Sequence, residues 1–327
     1  MGRSGHARLV HNRPPIRSRA SSTVTSCPAS LNALAAAHPR WVYDTLMHCT
    51  AATLHEFAAN PQWLGGVGAF SLVLHTWTQD LRRHIHVHAL MACGAMALDA
   101  DGQGSWVAPK RSPTFLFPVQ ALSKVLRGKF MQALQRASES GALPRDPAAT
   151  PDLQRLRTQA LRKHDWVVYA KTPLDGAPAV LEYLARYTHR TAIGNERLVA
   201  IKDAQVLMRV RADSTGGKRV MAMPGTQFIG RLLQHVLPQG FKRIRHYGLL
   251  APAAKTARLH MARQLLAMPA ANPAARQDAQ AFMRRVAAIE ITRCPHCPTG
   301  RWLVVEQRAA NPMARKALVP TPCRGPP

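Results

Sequence analysis

The chain has 327 residues, with 44 Lys and Arg against 17 Asp and Glu, a net charge of +27 with the histidines neutral. Such charge self-repels unless a polyanion neutralises it, and the arginine excess suits phosphate in particular. At 46% hydrophobic residues the chain can bury a real core, which excludes wholesale disorder. No window approaches the roughly eighteen uninterrupted apolar residues of a membrane span, and the N-terminus lacks the apolar stretch of a secretory signal, so membrane functions are set aside. Cys27, Cys49, Cys93, Cys294, Cys297 and Cys323 are scattered rather than framed, which fits a reducing compartment and a cytoplasmic protein.

Residues 1–30 hold five arginines and no acid among Ser and Pro, and read as a disordered basic arm. From Leu31 a helical pattern carries Trp41, Leu46, Leu54 and Phe57 and closes at Asn60-Pro61 and Gly65-Gly66. The tracts "GAFSLVLHTWTQDL" and "HIHVHALMACGAMALD" read as adjacent antiparallel strands, with turn chemistry in "DADGQG" before "SWVAPKR". Residues 117–137 form a basic amphipathic helix: Leu122, Val125, Leu126 and Phe130 share one face, and Lys124, Arg127 and Lys129 are exposed. A loop, a helix near 152–163 and the apolar run "DWVVYAK" lead to a turn at Asp175-Gly176 and a helix from about Pro178. Then come a hairpin around Asp203-Ala204, a helix in "TQFIGRLLQHVL" and a basic turn or strand in "PQGFKRIRHYG". The fold class is therefore α+β, a central antiparallel sheet flanked by helices with a mostly helical basic C-terminal part.

His84, His86 and His88 alternate with Ile85 and Val87, so on a strand the imidazoles share one face while the aliphatics enter the core. Neighbouring imidazoles on a rigid strand make a preformed pair of nitrogen ligands for a divalent metal. One His-x-His is expected about once by chance among fifteen histidines, so the pair needs support. It comes from "LEYLARYTHR", where Tyr183 and Tyr187, four apart on a helix, project from one face beside Arg186 and Arg190. "GFKRIRHYG" interleaves Lys242, Arg243 and Arg245 with Phe241 and Tyr247, the mixture that tracks a single-strand backbone while stacking bases, and Lys129 extends the candidate channel. Cys294-x-x-Cys297 is a single knuckle, for which free thiols in a loose tail are the preferred reading over zinc.

Taken together, "HTWTQDLRRHIHVH", "RGKF", "EYLARYTHR" and "FKRIRHYG", in that order, resemble the two-tyrosine HUH rolling-circle transposases of the insertion sequence ninety-one family over roughly residues 31–266. The resemblance implies that His86 and His88 are the His-hydrophobe-His metal pair, with Gln79 and His84 as further candidates, and that Tyr183 and Tyr187 are nucleophiles. It also implies Mg²⁺ or Mn²⁺ as cofactor, single-stranded DNA at transposon ends as partner, and a bacterial, nucleoid-associated setting. The chain then divides into the arm 1–30, an HUH-type catalytic domain 31–200, a basic part 201–266, and an Ala/Pro-rich linker and tail 267–327.

Family members carry a cysteine-rich zinc module and then an apolar strand at the N-terminus, whereas residues 1–30 show no CxxC and no strand-like run. The sheet is therefore expected to expose an unpaired edge beside the histidines. Two rival readings are an inactive, truncated single-stranded DNA-binding derivative and a His-ligated hydrolase of small molecules. The second explains neither the charge nor the tyrosine pair.

Overall fold

A computed structural model describes residues 19–111, 116–143, 166–188, 192–212 and 217–269, together with parts of 159–163 and 278–302. These fall into two compact units, Met1–Ala270 and Ala271–Pro327. The first is built on an antiparallel sheet of order β5-β1-β3-β2-β9, with β4 on the far end of β3. Its strands are β1 (Arg19–Ser26), β2 (Val67–Trp77), β3 (Arg83–Leu98), β4 (Gly104–Val107), β5 (Val167–Asp175) and β9 (Ile244–Gly248).

Alternation along β3 sets the two faces. Ile85, Val87, Ala89 and Met91 point to a core capped by α1 (Leu31–Ala37), α2 (Pro39–Ala59) and α3 (Val119–Glu139). Ile85 and Val87 are essentially inaccessible there, each contributing about 1.5–3 kcal/mol of hydrophobic stabilisation. Across that interface Trp41 meets Phe130 edge-on at 5.8 Å, and Phe130 meets Trp166 at 5.0 Å. α2 starts on Pro39, whose fixed φ suits a first turn, and its buried Thr50 and Thr53 donate to the carbonyls four residues back. The opposite face of the sheet carries the histidines and is covered by α4 (Gly176–Thr188), with α6 (Lys255–Leu265) beyond it around Met96 and Leu249.

The N-terminal arm is where the structure departs from expectation. Residues 19–26 are not a disordered tail but β1, which pairs with β3 from Ala20↔Ala92 to Ser26↔His86 and with β5 on its other side. The sheet edge beside the histidines is thus filled from within residues 1–30. The boundary at 200/201 also dissolves, because β9 returns to the central sheet beside β2. Residues 1–18, the start of the arm, lie outside the described residues.

A second, three-stranded sheet consists of β6 (Leu198–Lys202), β7 (Gln205–Arg211) and β8 (Lys218–Pro224), followed by α5 (Gly225–Leu233). The β6–β7 turn takes φ of +50° at Asp203 and +58° at Ala204, the mirror-image geometry that two-residue hairpins favour. Met208, Val210 and Met223 pack with Leu81, Phe228 and Trp77, so this sheet closes over the β2–β3 turn. That turn is tied down at several points: Leu81 N–H donates to Thr78 O at 3.1 Å, His235 Nε2–H to Leu81 O at 3.1 Å, and Arg231 to Asp80 O at 2.9 Å. The second unit contains α7 (Ala279–Ala287) and a small hairpin with an Arg293↔Arg301 bridge. Among the described residues no helix is long and apolar enough to cross a membrane.

Candidate active site

His86 and His88 lie on one face of β3, and the register of β2 sets His75 directly opposite His86. Ligand atoms of His75, His86 and His88 all fall within 4.8 Å of one another. Ring centroids are separated by 5.3 Å for His75–His86, 4.5 Å for His75–His88 and 5.0 Å for His86–His88. His84 stands one pleat further out, its ring 5.1 Å from that of His86, and it falls outside this cluster. Gln79 sits in the β2–β3 turn on the rim, its carbonyl accepting from Arg197.

Tautomers follow from the partners, since a carbonyl only accepts. His86 Nδ1–H donates to His84 O at 3.0 Å, which leaves the Nε2 lone pair of His86 for a metal. His75 Nε2–H donates to Tyr187 O at 3.0 Å, leaving its Nδ1. Burial pushes the three imidazoles far below the usual histidine range: His75 to about 4, His86 to about 3 and His88 to about 2, the neighbouring imidazoles adding to burial for His86 and His88. Neutral nitrogens with free lone pairs are the protonation state a divalent ion requires, so the residues present fit such a group.

α4 begins at Gly176, whose φ of +79° turns the chain out of β5 and across the histidine face. Tyr183 is buried against Ala20 and Leu90, with Val180 and Leu184 packed beside it. Its hydroxyl accepts from Ser22 Oγ of β1 at 2.5 Å and lies 3.3 Å from His88 Nδ1. Burial pushes the Tyr183 phenol up to about 12. One helical turn on, the Tyr187 ring lies 4.2 Å from the His88 ring and 4.5 Å from the Tyr183 ring. The structure thus brings both tyrosines to the histidine cluster. Arg186 lies on α4, and Arg190 lies outside the described residues.

A cleft of about 750 Å³ opens over this cluster. His75, His86, His88 and Tyr187 line it with Trp77, while Arg82, Arg197, Arg211 and Arg219 make it cationic against one acid, Asp80. Trp77 stacks on His75 at 4.4 Å, and the Arg243 guanidinium lies 5.8 Å from the Trp77 ring. Tyr183 does not line the cleft.

The basic tract at β9 splits between two faces: alternation puts Arg245 and Tyr247 on one of them, and Arg243, ahead of the strand, is not bound by it. Arg243, just ahead of the strand, reaches Trp77, and Lys242 is exposed. Arg245 and Tyr247 pair with Leu72 and Phe70, on the α2 side. There Arg245 bonds Asp44 and lies 4.9 Å from the Phe241 ring, while Tyr247 stacks on Phe70 at 5.4 Å. Phe241 meets Tyr43 edge-on at 5.8 Å, and Lys129 pairs with Glu56 at 2.8 Å. Phe241, Lys129, Arg245 and Tyr247, expected to extend a channel, instead lie with the helices that back the sheet. Cys294 and Cys297 lie in the second unit.

His75 is the cluster member that the sequence reading passes over, although it opens "HTWTQDLRRHIHVH". The turn alone does not signal it: the register Trp77↔Arg83 set by closure of residues 78–82 would carry residue 75 opposite Ile85, and an irregularity between His75 and Trp77 shifts its partner to His86. Ser22 carried no signal either.

A charged cleft over a histidine cluster and two tyrosines, set on an antiparallel sheet, defines a protein built to act on a polyanion. A family profile described as "Putative transposase" matches residues 68–258. A "Putative transposase y4qJ" of Sinorhizobium fredii is 37% identical over 291 residues, covering 86% of this chain and 72% of that protein. The transposase for insertion sequence element IS801 of Pseudomonas savastanoi pv. phaseolicola is 26% identical over 217 residues, covering 65% of this chain and 50% of that protein. The chain belongs to this transposase family, the insertion sequence ninety-one type. Among solved structures, a conjugative relaxase TrwC in complex with oriT DNA shares 14% identity with a TM-score of 0.28, covering 57% of this chain and 77% of that one.

Proposed function

We propose that this transposase cuts and rejoins single-stranded DNA at transposon ends through 5′-phosphotyrosine intermediates. The observation that carries the reading is the meeting of His75, His86 and His88 with Tyr183 and Tyr187 on one face of the sheet, under a cationic cleft. His75, His86 and His88 would hold a divalent ion, and an imidazole-only set favours Mn²⁺ over the oxygen-seeking Mg²⁺. Such an ion supplies Lewis-acid withdrawal of charge from the scissile phosphate.

Everything else falls to the chain. Arg82, Arg211 and Arg219 bind the strand's phosphates, and Trp77, stacked on His75 with Arg243 beside it, forms part of the cleft wall. Tyr187 lines the cleft and makes the first attack. Its Oη bonds to phosphorus as the P–O3′ bond breaks; the phenolic proton passes to solvent and the departing 3′ oxygen takes one up. One phosphodiester replaces another, so rejoining needs no ATP. Tyr183, tied to Ser22 and His88 beneath the cleft, serves the second transfer.

The test is incubation of the protein with Mn²⁺ and labelled single-stranded oligonucleotides bearing the element's ends. A denaturant-stable adduct lost in the Tyr183→Phe/Tyr187→Phe double variant supports the reading. Retarded bands from the wild-type protein with no adduct would leave only a DNA-binding derivative.

A further inference from the structure

The second unit poses a question the transposase reading does not answer: what holds it together. None of its described residues between 278 and 302 is buried, and Phe282, Ile291 and Trp302 are exposed by 47%, 40% and 63%. A small segment whose described residues form no core is the kind that a disulfide or a metal keeps in one shape. Its polar ties are local. Glu290 accepts from Arg284 at 2.5 Å, Thr292 Oγ1 at 2.7 Å and Gln280 at 2.9 Å.

The hairpin that follows is organised around two sulfurs. Trp302 N–H donates to Thr292 O at 2.7 Å and Cys294 N–H to Gly300 O at 2.9 Å, so Cys294 and Cys297 sit together in its closed tip. Gly300 N–H then donates to Cys297 Sγ at 3.3 Å. A Cβ at Gly300 would stand 2.6 Å from that sulfur and 3.2 Å from Cys294 Cβ, so this position takes no side chain without the knuckle shifting. A backbone donor aimed at a sulfur stabilises thiolate charge there.

We propose that Cys294 and Cys297 form a thiolate knuckle that binds a soft divalent ion of the zinc class, and that this ion fixes the hairpin of the second unit. The pair supplies two of the four positions a structural zinc takes. Mn²⁺ or Mg²⁺ at the histidine cluster and zinc at the knuckle would then be separate requirements, distinguished by ligand softness.

The experiment titrates the reduced full chain with Co²⁺ as the probe ion and reads the thiolate-to-cobalt charge-transfer absorption. In parallel, alkylation of Cys294 and Cys297 is mapped by mass spectrometry with and without Zn²⁺. The expected result is a band that disappears in Cys294→Ser and in Cys297→Ser and persists in the His75→Ala/His86→Ala/His88→Ala variant, with both thiols protected from alkylation by Zn²⁺. No band in the reduced wild-type chain, a band surviving both serine variants, or unchanged alkylation with Zn²⁺ would overturn the proposal.

Discussion

Ser22 and Tyr183 are 161 positions apart in sequence, yet the Ser22 hydroxyl donates to the Tyr183 hydroxyl at 2.5 Å inside the protein. Ser22 is fully buried on β1, between β5 and β3, so its one side-chain polar atom is committed to that phenol. Removing the donor costs about 1 kcal/mol of stability and unties Tyr183 on one side. Ser22→Ala is therefore expected to lower the melting temperature by a few degrees. In a Tyr187→Phe background it should also raise the yield of covalent DNA adduct. An unchanged yield would mean that Ser22 positions nothing.

The second prediction separates histidines that look alike in sequence. His75→Ala removes a cluster member, whereas His84→Ala leaves all three clustered nitrogens in place. Calorimetric titration with Mn²⁺ should show His75→Ala weakened on the order of tenfold to a hundredfold and His84→Ala within about threefold of wild type. Equal losses would return His84 to the ligand set.

The third concerns pH. Because burial holds His75 near 4, His86 near 3 and His88 near 2, the folded state binds fewer protons than the unfolded chain between those values and about 6.5. The stability tied to neutral imidazoles is thus fully present above about pH 6.5 and is lost as pH falls below it, each histidine adding at most about 1.4 kcal/mol per pH unit. Urea unfolding of the metal-free protein should give lower stability at pH 5 than at pH 7. The triple His→Ala variant should lack most of that slope.

A fourth prediction follows from the split of the basic residues between faces. Arg211 and Arg219 line the cleft, while Arg245 bonds Asp44 against α2. Arg211→Ala and Arg219→Ala should each reduce the slope of log K against log salt for single-stranded DNA by up to about 0.7. Arg245→Ala should leave the slope unchanged and lower the melting temperature, since it unpairs Asp44 and uncovers Phe241.

Much of this was legible because periodicity and function coincide. The alternation of His84, His86 and His88 with Ile85 and Val87 names both the buried face and the reactive one, and the four-residue spacing of Tyr183 and Tyr187 names the helix face. β1 was not legible. "RASSTVTS" is small and polar, and its buried Ser21, Ser22 and Thr25 find their environment only between two other strands. The tract "GFKRIRHYG" misled for the converse reason: interleaved aromatic and basic residues describe a nucleic-acid track and equally an edge strand with one face against a helix. Tertiary pairing, which composition does not carry, decides between them. Arg219 comes from the second sheet and becomes a neighbour of the site only when that sheet closes over the β2–β3 turn.

The central claim is that three imidazole nitrogens and one scissile phosphate share an ion. Pulsed electron paramagnetic resonance of Mn²⁺ bound to the Tyr183→Phe/Tyr187→Phe variant, with an uncut single-stranded oligonucleotide, reads both kinds of nucleus at once. The account predicts nitrogen couplings lost in His75→Ala, His86→Ala or His88→Ala, together with a phosphorus coupling that appears only with DNA. Mn²⁺ without nitrogen couplings, or with nitrogen but no phosphorus when DNA is bound, would contradict it.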